Sequence, residues 1–276
     1  MRIARRQALA GLAAFCVSPN PARAESELVT VRAGTLPIVL TAPHGGRLGP
    51  PNVRERSRTN PQTRERSRSF GGVVLGADLN TDLLGHAIAT ELQRLTGQAP
   101  SLVIANFARR YIDANRPPEA AYDDESAAPV YRAYHEAIRT QVNALRARYG
   151  RALLIDLHGQ GVEAKVLMRG TLNGQSVSAL TARAGIEAVT GQRGLFGLLK
   201  QQGFRTFPDM PVAKGLGGED AGFRGGYTVA TYGSHHPDGI DAVQWELGID
   251  YRRKETLGDW SKRAAAALAE FAGNYL

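Results

Sequence analysis

The amino-acid sequence predicts an α/β protein, and three segments carry that prediction. Residues 152–155 (Ala-Leu-Leu-Ile) are a short continuous apolar run, typical of a strand that is buried on both faces of a sheet. Residues 36–41 form a second run, rich in Leu, Ile and Val. Pro129 opens a long amphipathic pattern that continues to Tyr149 and predicts a helix. With 276 residues, of which 43% are hydrophobic, the chain can form one large α/β domain or two small ones.

The remaining elements are predicted from the same periodicities. Further strands are expected at residues 28–33, 102–105, 166–169 and 240–247, and another is expected to start within residues 223–229. Further helices are expected from Asn80 or Thr81 toward Gly97, within residues 176–189 and 194–203, and from Asp259 as the N-cap of the last helix.

Residues 1–24 have the pattern of an export signal. Three arginines at positions 2, 5 and 6 precede an apolar stretch at residues 8–17, and Ala22-Arg23-Ala24 resembles a cleavage site. The Arg5-Arg6 pair fits the twin-arginine route as well as an ordinary Sec signal. We expect a mature, periplasmic chain of residues 25–276. It has no apolar run near the roughly 20 residues that a membrane span needs, so no stable membrane anchor is expected.

Composition limits the kind of site this chain can form. The only cysteine, Cys16, lies in the export signal, so the mature chain is expected to have neither disulfides nor cysteine-ligated zinc. Residues 1–24 hold four arginines and no acidic residue, and their removal lowers the net charge from +8 to +4. This modest charge, without a recognisable motif, gives no indication of nucleic-acid binding.

Two histidines follow predicted strands and precede glycines. His158 ends the strand at residues 152–158, with Asp156 on the same side, and His44 follows the strand at residues 36–41. Ligands of open α/β sheets bind at strand ends, and an imidazole beside a carboxylate suits a metal ligand with its supporting partner. A structural histidine capped by an aspartate is the alternative for His158.

Charged residues elsewhere admit both functional and structural interpretations. Arginines in residues 109–116 suit recognition of a carboxylate or an oxyanion, or they pair with Asp113 and other surface acids. Gln244 and Glu246 share one side of an otherwise apolar strand, and a general base facing a cleft would explain them. Asp82 falls in the first turn of a predicted helix, where capping alone would explain it.

Residues 47–70 are predicted to be a loop that contains the pentapeptide RERSR at residues 54–58 and again at 64–68. This arginine-rich segment is either a solvated, mobile flap or a basic rim that attracts an anionic substrate or a wall polymer. His235 and His236 lie in a second predicted loop, either as an exposed pair or in contact with metal or substrate.

Five motifs in series resemble the N-formylglutamate amidohydrolase family: PHGG, RRYIDANRPP, DLHGQG, FRGGYTVATYG and GIDAVQWELG. Together they cover about residues 36–250. The family is related to the zinc carboxypeptidase and aspartoacylase clan. The resemblance implies that residues 25–276 form a single catalytic domain with a three-layer α/β/α fold, a mixed central sheet and one catalytic Zn²⁺ per chain.

The resemblance also assigns site residues. His44 and His158 correspond to zinc ligands, and Asp82 is taken as the third, with Asp78 as its substitute, because Arg47 holds the place of the clan's usual glutamate. Glu246 corresponds to the catalytic glutamate and Arg109 to the residue that stabilises the oxyanion. The residues assigned to substrate binding are Asn115, Arg116, Gly226, Tyr227 and Gln244.

The implied function is hydrolysis of the amide bond of a small N-acyl amino acid such as N-formylglutamate, by metal-activated water with Glu246 as general base. The export signal separates this protein from cytoplasmic histidine catabolism, where a formylglutamate hydrolase belongs. An exported zinc carboxypeptidase or cell-wall peptide amidase is the first alternative, and a non-catalytic binding protein for acidic solutes is the second. Histidine and carboxylate ligands suit Zn²⁺ and also admit Co²⁺ or Mn²⁺.

Overall fold

The computed structural model of the chain describes residues 27–209 and 216–276, so the predicted export signal lies outside the described residues. Its centre is a seven-stranded sheet with the strand order β1-β3-β2-β4-β7-β5-β6. The strands are β1 Val29–Arg32, β2 Leu36–Ala42, β3 Pro100–Ala105, β4 Leu153–Gly159, β5 Leu167–Gly170, β6 Thr206–Phe207 and β7 Asp241–Leu247. The helices are α1 Pro61–Ser67, α2 Thr81–Thr96, α3 Pro118–Ala121, α4 Ala128–Tyr149, α5 Ser178–Ala184, α6 Glu187–Thr190, α7 Leu195–Gln201, α8 Tyr227–Tyr232 and α9 Lys254–Tyr275.

The sheet is mixed, as expected. Its four central strands β3, β2, β4 and β7 are parallel, while β1 pairs with β3 and β5 pairs with β7 in antiparallel orientation. Every residue of β2, β3 and β7 is buried, which explains why these segments read as nearly continuous apolar runs. The parallel strands all end at one edge of the sheet, where ligands of such folds bind.

Helices cover both faces of the sheet and give three layers. Along β2, Ile38 and Leu40 pack into a core with α2, α7 and α9, whereas Val39 between them points into a second core with α4 and α8. This alternation is the two-residue period of a strand, repeated in β4, where Ile155 and Leu154 enter opposite cores. The three-layer α/β/α prediction is confirmed.

Three element predictions are wrong. The strand expected to start within residues 223–229 is absent, and α8 forms there instead. Its Val229 and Tyr232 are both buried, at the spacing of one helical turn rather than the period of a strand. Helix α9 begins at Lys254, so Asp259 is no N-cap and instead pairs with Arg263 one turn later, at 2.7 Å. The loop predicted for residues 47–70 contains α1.

Helix α1 has local signals that explain its formation. Asn60 is its N-cap, and the side-chain oxygen accepts hydrogen bonds from the backbone N–H groups of Gln62 and Thr63. Pro61 occupies the first helical position, where a missing N–H costs nothing. None of the helices in the described parts of the chain is both long enough and apolar enough to cross a membrane.

Arg252 ties together three loops at the edge where the parallel strands end. Its buried guanidinium donates to the carbonyl groups of Leu247, Leu79 and Gln160, at 3.0, 2.7 and 3.2 Å. Asn80, at the start of α2, returns a hydrogen bond of 2.8 Å to the Arg252 carbonyl. One side chain thus links the ends of β4 and β7 to the segment before α2.

We expect Arg252→Met to lower the free energy of unfolding by about 2–4 kcal/mol, because it leaves carbonyl groups without a donor where water has poor access. Urea denaturation measures this. The adjacent Arg253→Met is the control. Its side chain is 55% exposed and, among residues 27–209 and 216–276, pairs with Asp250 alone, so its effect should stay within about 0.5 kcal/mol. Equal losses in the two variants would contradict the assignment.

Candidate active site

Histidine, carboxylate and arginine side chains meet at the carboxyl edge of the parallel strands. His44 follows β2, His158 is the sixth residue of β4, and Glu246 lies near the end of β7. His158 and Glu246 are register partners on adjacent strands. Arg109 and Asn115 come from the segment after β3. The topology therefore brings together residues that are up to about two hundred positions apart in the sequence.

Three of these side chains form a group that could hold a metal ion. The Nδ1 atoms of His44 and His158 lie 3.3 and 3.1 Å from the same oxygen, Oδ2 of Asp78. All three residues are buried, and their ligand atoms lie within 4.8 Å of one another. Tetrahedral Zn²⁺ with bonds of about 2.0–2.1 Å separates its ligands by about 3.3 Å. The donor set and its spacing therefore fit one such ion.

Each histidine also forms a hydrogen bond with a second carboxylate, through the ring nitrogen that does not face Asp78. The Nε2–H of His44 donates to Asp113 at 2.7 Å, and that of His158 donates to Asp156 at 2.8 Å. Asp156 also accepts a hydrogen bond of 2.6 Å from the Thr41 hydroxyl. With Nε2 occupied, both rings turn their Nδ1 atoms toward Asp78, which is how carboxylate partners orient metal-binding histidines.

The electrostatics of the group favour a bound cation. Burial acts to raise the pKa of Asp78, but hydrogen bonds from His158 and His44 outweigh it and hold the pKa well below the usual range. Burial lowers the pKa of His158, yet the neighbouring Asp156 outweighs this effect and the pKa lies well above normal. Surroundings that hold a proton on a buried imidazole also attract a metal ion in its place.

The carboxylate that lies with the two histidines is Asp78, the substitute named from the sequence, and Asp82 is not part of this group. Asp78 precedes α2, where its backbone N–H donates to the His44 carbonyl and its Oδ2 accepts from the Gly159 N–H at 3.1 Å. After Asp78 the chain turns through Asn80, whose φ is 66°, so Asp82 falls in the first helical turn. Gly45 permits this packing, since a Cβ there would lie 2.5 Å from the Asp82 nitrogen.

Glu246 is a buried carboxyl group beside the metal group. Burial raises its pKa to about 7. Gln244 donates a hydrogen bond of 2.9 Å to Glu246 Oε1, and its own oxygen accepts from the Gly226 N–H at 2.8 Å. A carboxyl with a pKa near neutrality can both accept and donate a proton at physiological pH.

The segment after β3 supplies cationic and amide groups. Arg109 donates through Nε to Asp113 at 3.1 Å and lies 3.5 Å from Asp78. Asn115 Oδ1 accepts from the Thr228 N–H at 2.9 Å, and a Cβ on Gly226 would lie 2.0 Å from Asn115 Nδ2. Only glycine fits at this approach, so Gly226 and Asn115 form one packed unit at the start of α8.

A cavity of about 720 Å³ opens over these groups. The sequence-predicted residues that line it are His44, Arg109, Asn115, Arg116, His158, Gly226, Tyr227, Gln244 and Glu246. Residues 69–77 add several side chains to one wall, and residues 221–226 form another. Apart from Gly226, the sequence did not single out residues of these two walls, because most of their residues carry no group with a recognisable chemical role.

The arginine-rich segment divides into a buried and an exposed part. Arg56 is only 2% exposed, donates to the carbonyls of Val74 and Ala120, and lies 3.6 Å from Asp113. It therefore connects the 69–77 wall to the carboxylate that holds His44. The arginines of the second pentapeptide are exposed on and just after α1. The rings of His235 and His236 contact each other, with centroids 4.1 Å apart and planes tilted by 43°, and both residues are absent from the described lining of the cavity.

Comparisons with known proteins give one sequence match and two matches in fold. Residues 120–251 match the family model for N-formylglutamate amidohydrolase. The crystal structure of N-formylglutamate amidohydrolase from Ralstonia eutropha is 16% identical; the match covers 90% of this chain and 98% of that chain, with a TM-score of 0.59. A gene product of Agrobacterium tumefaciens is also 16% identical, with coverage of 92% and 96% and a TM-score of 0.53. No curated protein sequence matches the chain.

The two structural matches establish the shared fold, and the family model adds the sequence relationship. The matched segment holds His158, Gln244 and Glu246, whereas His44 and Asp78 precede it. Residues 120–251, just under half of the chain, therefore resemble the N-formylglutamate amidohydrolase family in sequence.

Proposed function

We propose that the chain is a metal-dependent amidohydrolase that removes the acyl group from an N-acyl amino acid, with N-formylglutamate as the first candidate substrate. The observation that carries the proposal is the group of His44, Asp78 and His158 in one cavity with Glu246. The family match supports amide hydrolysis as the reaction class.

The three grouped side chains would hold the metal through two imidazole nitrogens and one carboxylate oxygen. Zn²⁺ is the ion we propose, because this donor set is common in its catalytic sites. When bound, it would supply a Lewis acid and lower the pKa of a water ligand to about 7.

Glu246 is the proton-transfer group in this proposal. It would accept a proton from the attacking water and later deliver it to the leaving nitrogen, the two tasks that its pKa near 7 allows. Gln244 fixes the carboxyl by its hydrogen bond. Arg109 lines the cavity beside Asp78 and would stabilise the negative oxygen that develops on the substrate, a role worth about 3–4 kcal/mol for one good donor.

Arg116 is proposed to bind the α-carboxylate of the substrate. It lines the cavity, and its Nη1 donates to the Asn115 carbonyl at 2.9 Å. Asn115 links this arginine to Thr228 and to Gln244, so it would position the carboxylate relative to Glu246. We further propose that the protein is exported, which the pattern of residues 1–24 supports.

The metal assignment predicts about one zinc per chain in the purified protein, and loss of that zinc in His158→Ala, because one of three ligands is removed. Elemental analysis of the two proteins measures this. His236→Ala is the matched control, since His236 lies outside the group. Protein that stays metal-free after zinc is supplied would refute the metal centre.

The choice between the two aspartates predicts opposite outcomes. Asp78→Asn should weaken zinc binding at least about tenfold, whereas Asp82→Asn should leave the affinity unchanged, because only Asp78 lies with the histidines. Competition with a chromophoric chelator gives the affinities. Weakened binding in Asp82→Asn alone would restore the original assignment.

Removal of the proton-transfer group predicts a catalytic loss without loss of metal. Glu246→Gln should keep its zinc and lose at least about 100-fold in kcat on N-formyl-L-glutamate, the scale of general acid–base catalysis. The exposed Glu255→Gln serves as the control and should turn over normally. Activity of Glu246→Gln within the range of that control would exclude Glu246 from the reaction.

A further inference from the structure

The loop that carries Asn115 and Arg116 has no regular secondary structure of its own. Residues 113–116 lie between β3 and the short helix α3. Two carbonyl groups of this loop are bonded within it. That of Asp113 accepts from the Arg116 N–H at 3.1 Å, and that of Asn115 accepts from Arg116 Nη1 at 2.9 Å. The carbonyl groups of Ala114 and Arg116 need donors from elsewhere in the protein.

Helix α4 supplies both donors from one of its faces. The Tyr131 hydroxyl donates to the Arg116 carbonyl at 2.8 Å, and Nε2 of His135 donates to the Ala114 carbonyl at 3.0 Å. The two side chains are four residues apart, which makes them neighbours on a helix, and their ring centroids lie 4.5 Å apart. Three residues further on, Ile138 is fully buried in the core. The loop is therefore attached to an element that is itself fixed by packing.

Both donors keep their hydrogens at neutral pH. Burial raises the pKa of Tyr131 above its usual range, so the hydroxyl stays protonated. Burial lowers the pKa of His135 to about 4, so the ring is neutral and carries one N–H. Because the Ala114 carbonyl can only accept, this hydrogen lies on Nε2, and Nδ1 accepts from the Tyr232 hydroxyl at 3.0 Å.

We propose that Tyr131 and His135 are positioning residues, which hold the Arg116 guanidinium where it meets the substrate carboxylate. The inference rests on the proposed function, in which Arg116 binds that carboxylate. Tyr131 and His135 are absent from the described lining of the cavity, so they act through the backbone of the loop. The same loop carries Asp113, which bonds to His44 at 2.7 Å. One loop thus sets the distance between the metal group and the carboxylate-binding arginine.

The first test removes a single hydroxyl. Tyr131→Phe should lower kcat/KM for N-formyl-L-glutamate by about three- to tenfold, the scale of one hydrogen bond. The loss should lie in KM, with kcat changed less than about twofold, because Arg116 binds the substrate and takes no part in the reaction. In an Arg116→Met background the same substitution should change kcat/KM less than about twofold, since no guanidinium is left to position. Equal losses in the two backgrounds would overturn the inference.

Tyr134→Phe is the matched control. It removes a buried hydroxyl from the same helix, and that hydroxyl has no hydrogen-bond partner among the described residues. Its kcat and KM should stay within about twofold of the wild-type values. A KM increase as large as that of Tyr131→Phe would show that the effect does not depend on the bond to Arg116, and would contradict the inference.

The role of His135 is tested by a conservative and a disruptive substitution. Glutamine can donate to the Ala114 carbonyl from nearly the same position as Nε2, whereas leucine cannot. His135→Gln should keep kcat/KM within about threefold, and His135→Leu should lose about tenfold, because a buried carbonyl is left without a donor. Urea denaturation establishes that both proteins are folded. Equal losses in the two folded variants would exclude His135 from the positioning pair.

Calorimetric binding to the Glu246→Gln protein separates this inference from the proposed reaction. The ligand is N-formyl-L-glutamate, and Tyr131→Phe should weaken its binding about threefold or more only while Arg116 is present. If the wild-type protein does not hydrolyse this compound but the binding follows that pattern, the proposed reaction fails and the positioning role stands. Binding that is insensitive to Tyr131→Phe would refute the positioning role even in an active enzyme.

Discussion

The site depends on two buried histidine–carboxylate hydrogen bonds, His44 to Asp113 and His158 to Asp156. Each bond fixes which ring nitrogen carries the proton and which way the ring faces, and both rings face Asp78 as a result. Asp113 and Asp156 are completely buried, so their negative charge needs compensation within the protein. Arg109 and Arg56 lie beside Asp113, and Thr41 donates to Asp156. Several buried side chains behind the cavity therefore serve to orient other side chains.

The loops around this centre are attached to it by side chains rather than by regular structure. Arg252 links the ends of β4 and β7 to the segment before α2, and Arg56 links one wall of the cavity to Asp113. Asn115 connects the segment after β3 to the start of α8. In each case a long or polar side chain forms hydrogen bonds with backbone groups of a neighbouring loop. These backbone groups lie outside strands and helices and would otherwise lack a partner within the protein.

The sequence was sufficient to predict the sheet, its three layers and the residues at strand ends, because His44, His158 and Glu246 each follow or end an apolar run.

The sequence was insufficient where a choice between residues or elements depended on distant contacts. Asp78 precedes α2 and Asp82 lies in its first turn. Only the backbone turn at Asn80 shows that Asp78 is the one that reaches the histidines. Arg109, four residues before Asp113, accounts for that carboxylate locally, so the more distant partner His44 could not be inferred from the sequence. The β-branched residues of α8 favour a strand when the sequence is considered alone. In the structure the segment is a helix whose buried residues lie on one side. Arg56 sits in a pentapeptide that reads as solvated, and only the fold shows that it is buried.

His158 and Glu246 are register partners on adjacent buried strands, whereas the residues proposed to contact substrate stand on the surrounding loops. Strands of a packed sheet resist sequence change, while loops accept it readily. The two strand residues that must be kept are therefore separated from the loop residues that can vary during evolution. Under the proposed function, changes in residues 221–226 or 69–77 would alter which substrate the cavity accepts and would leave the strand residues His158 and Glu246 in place.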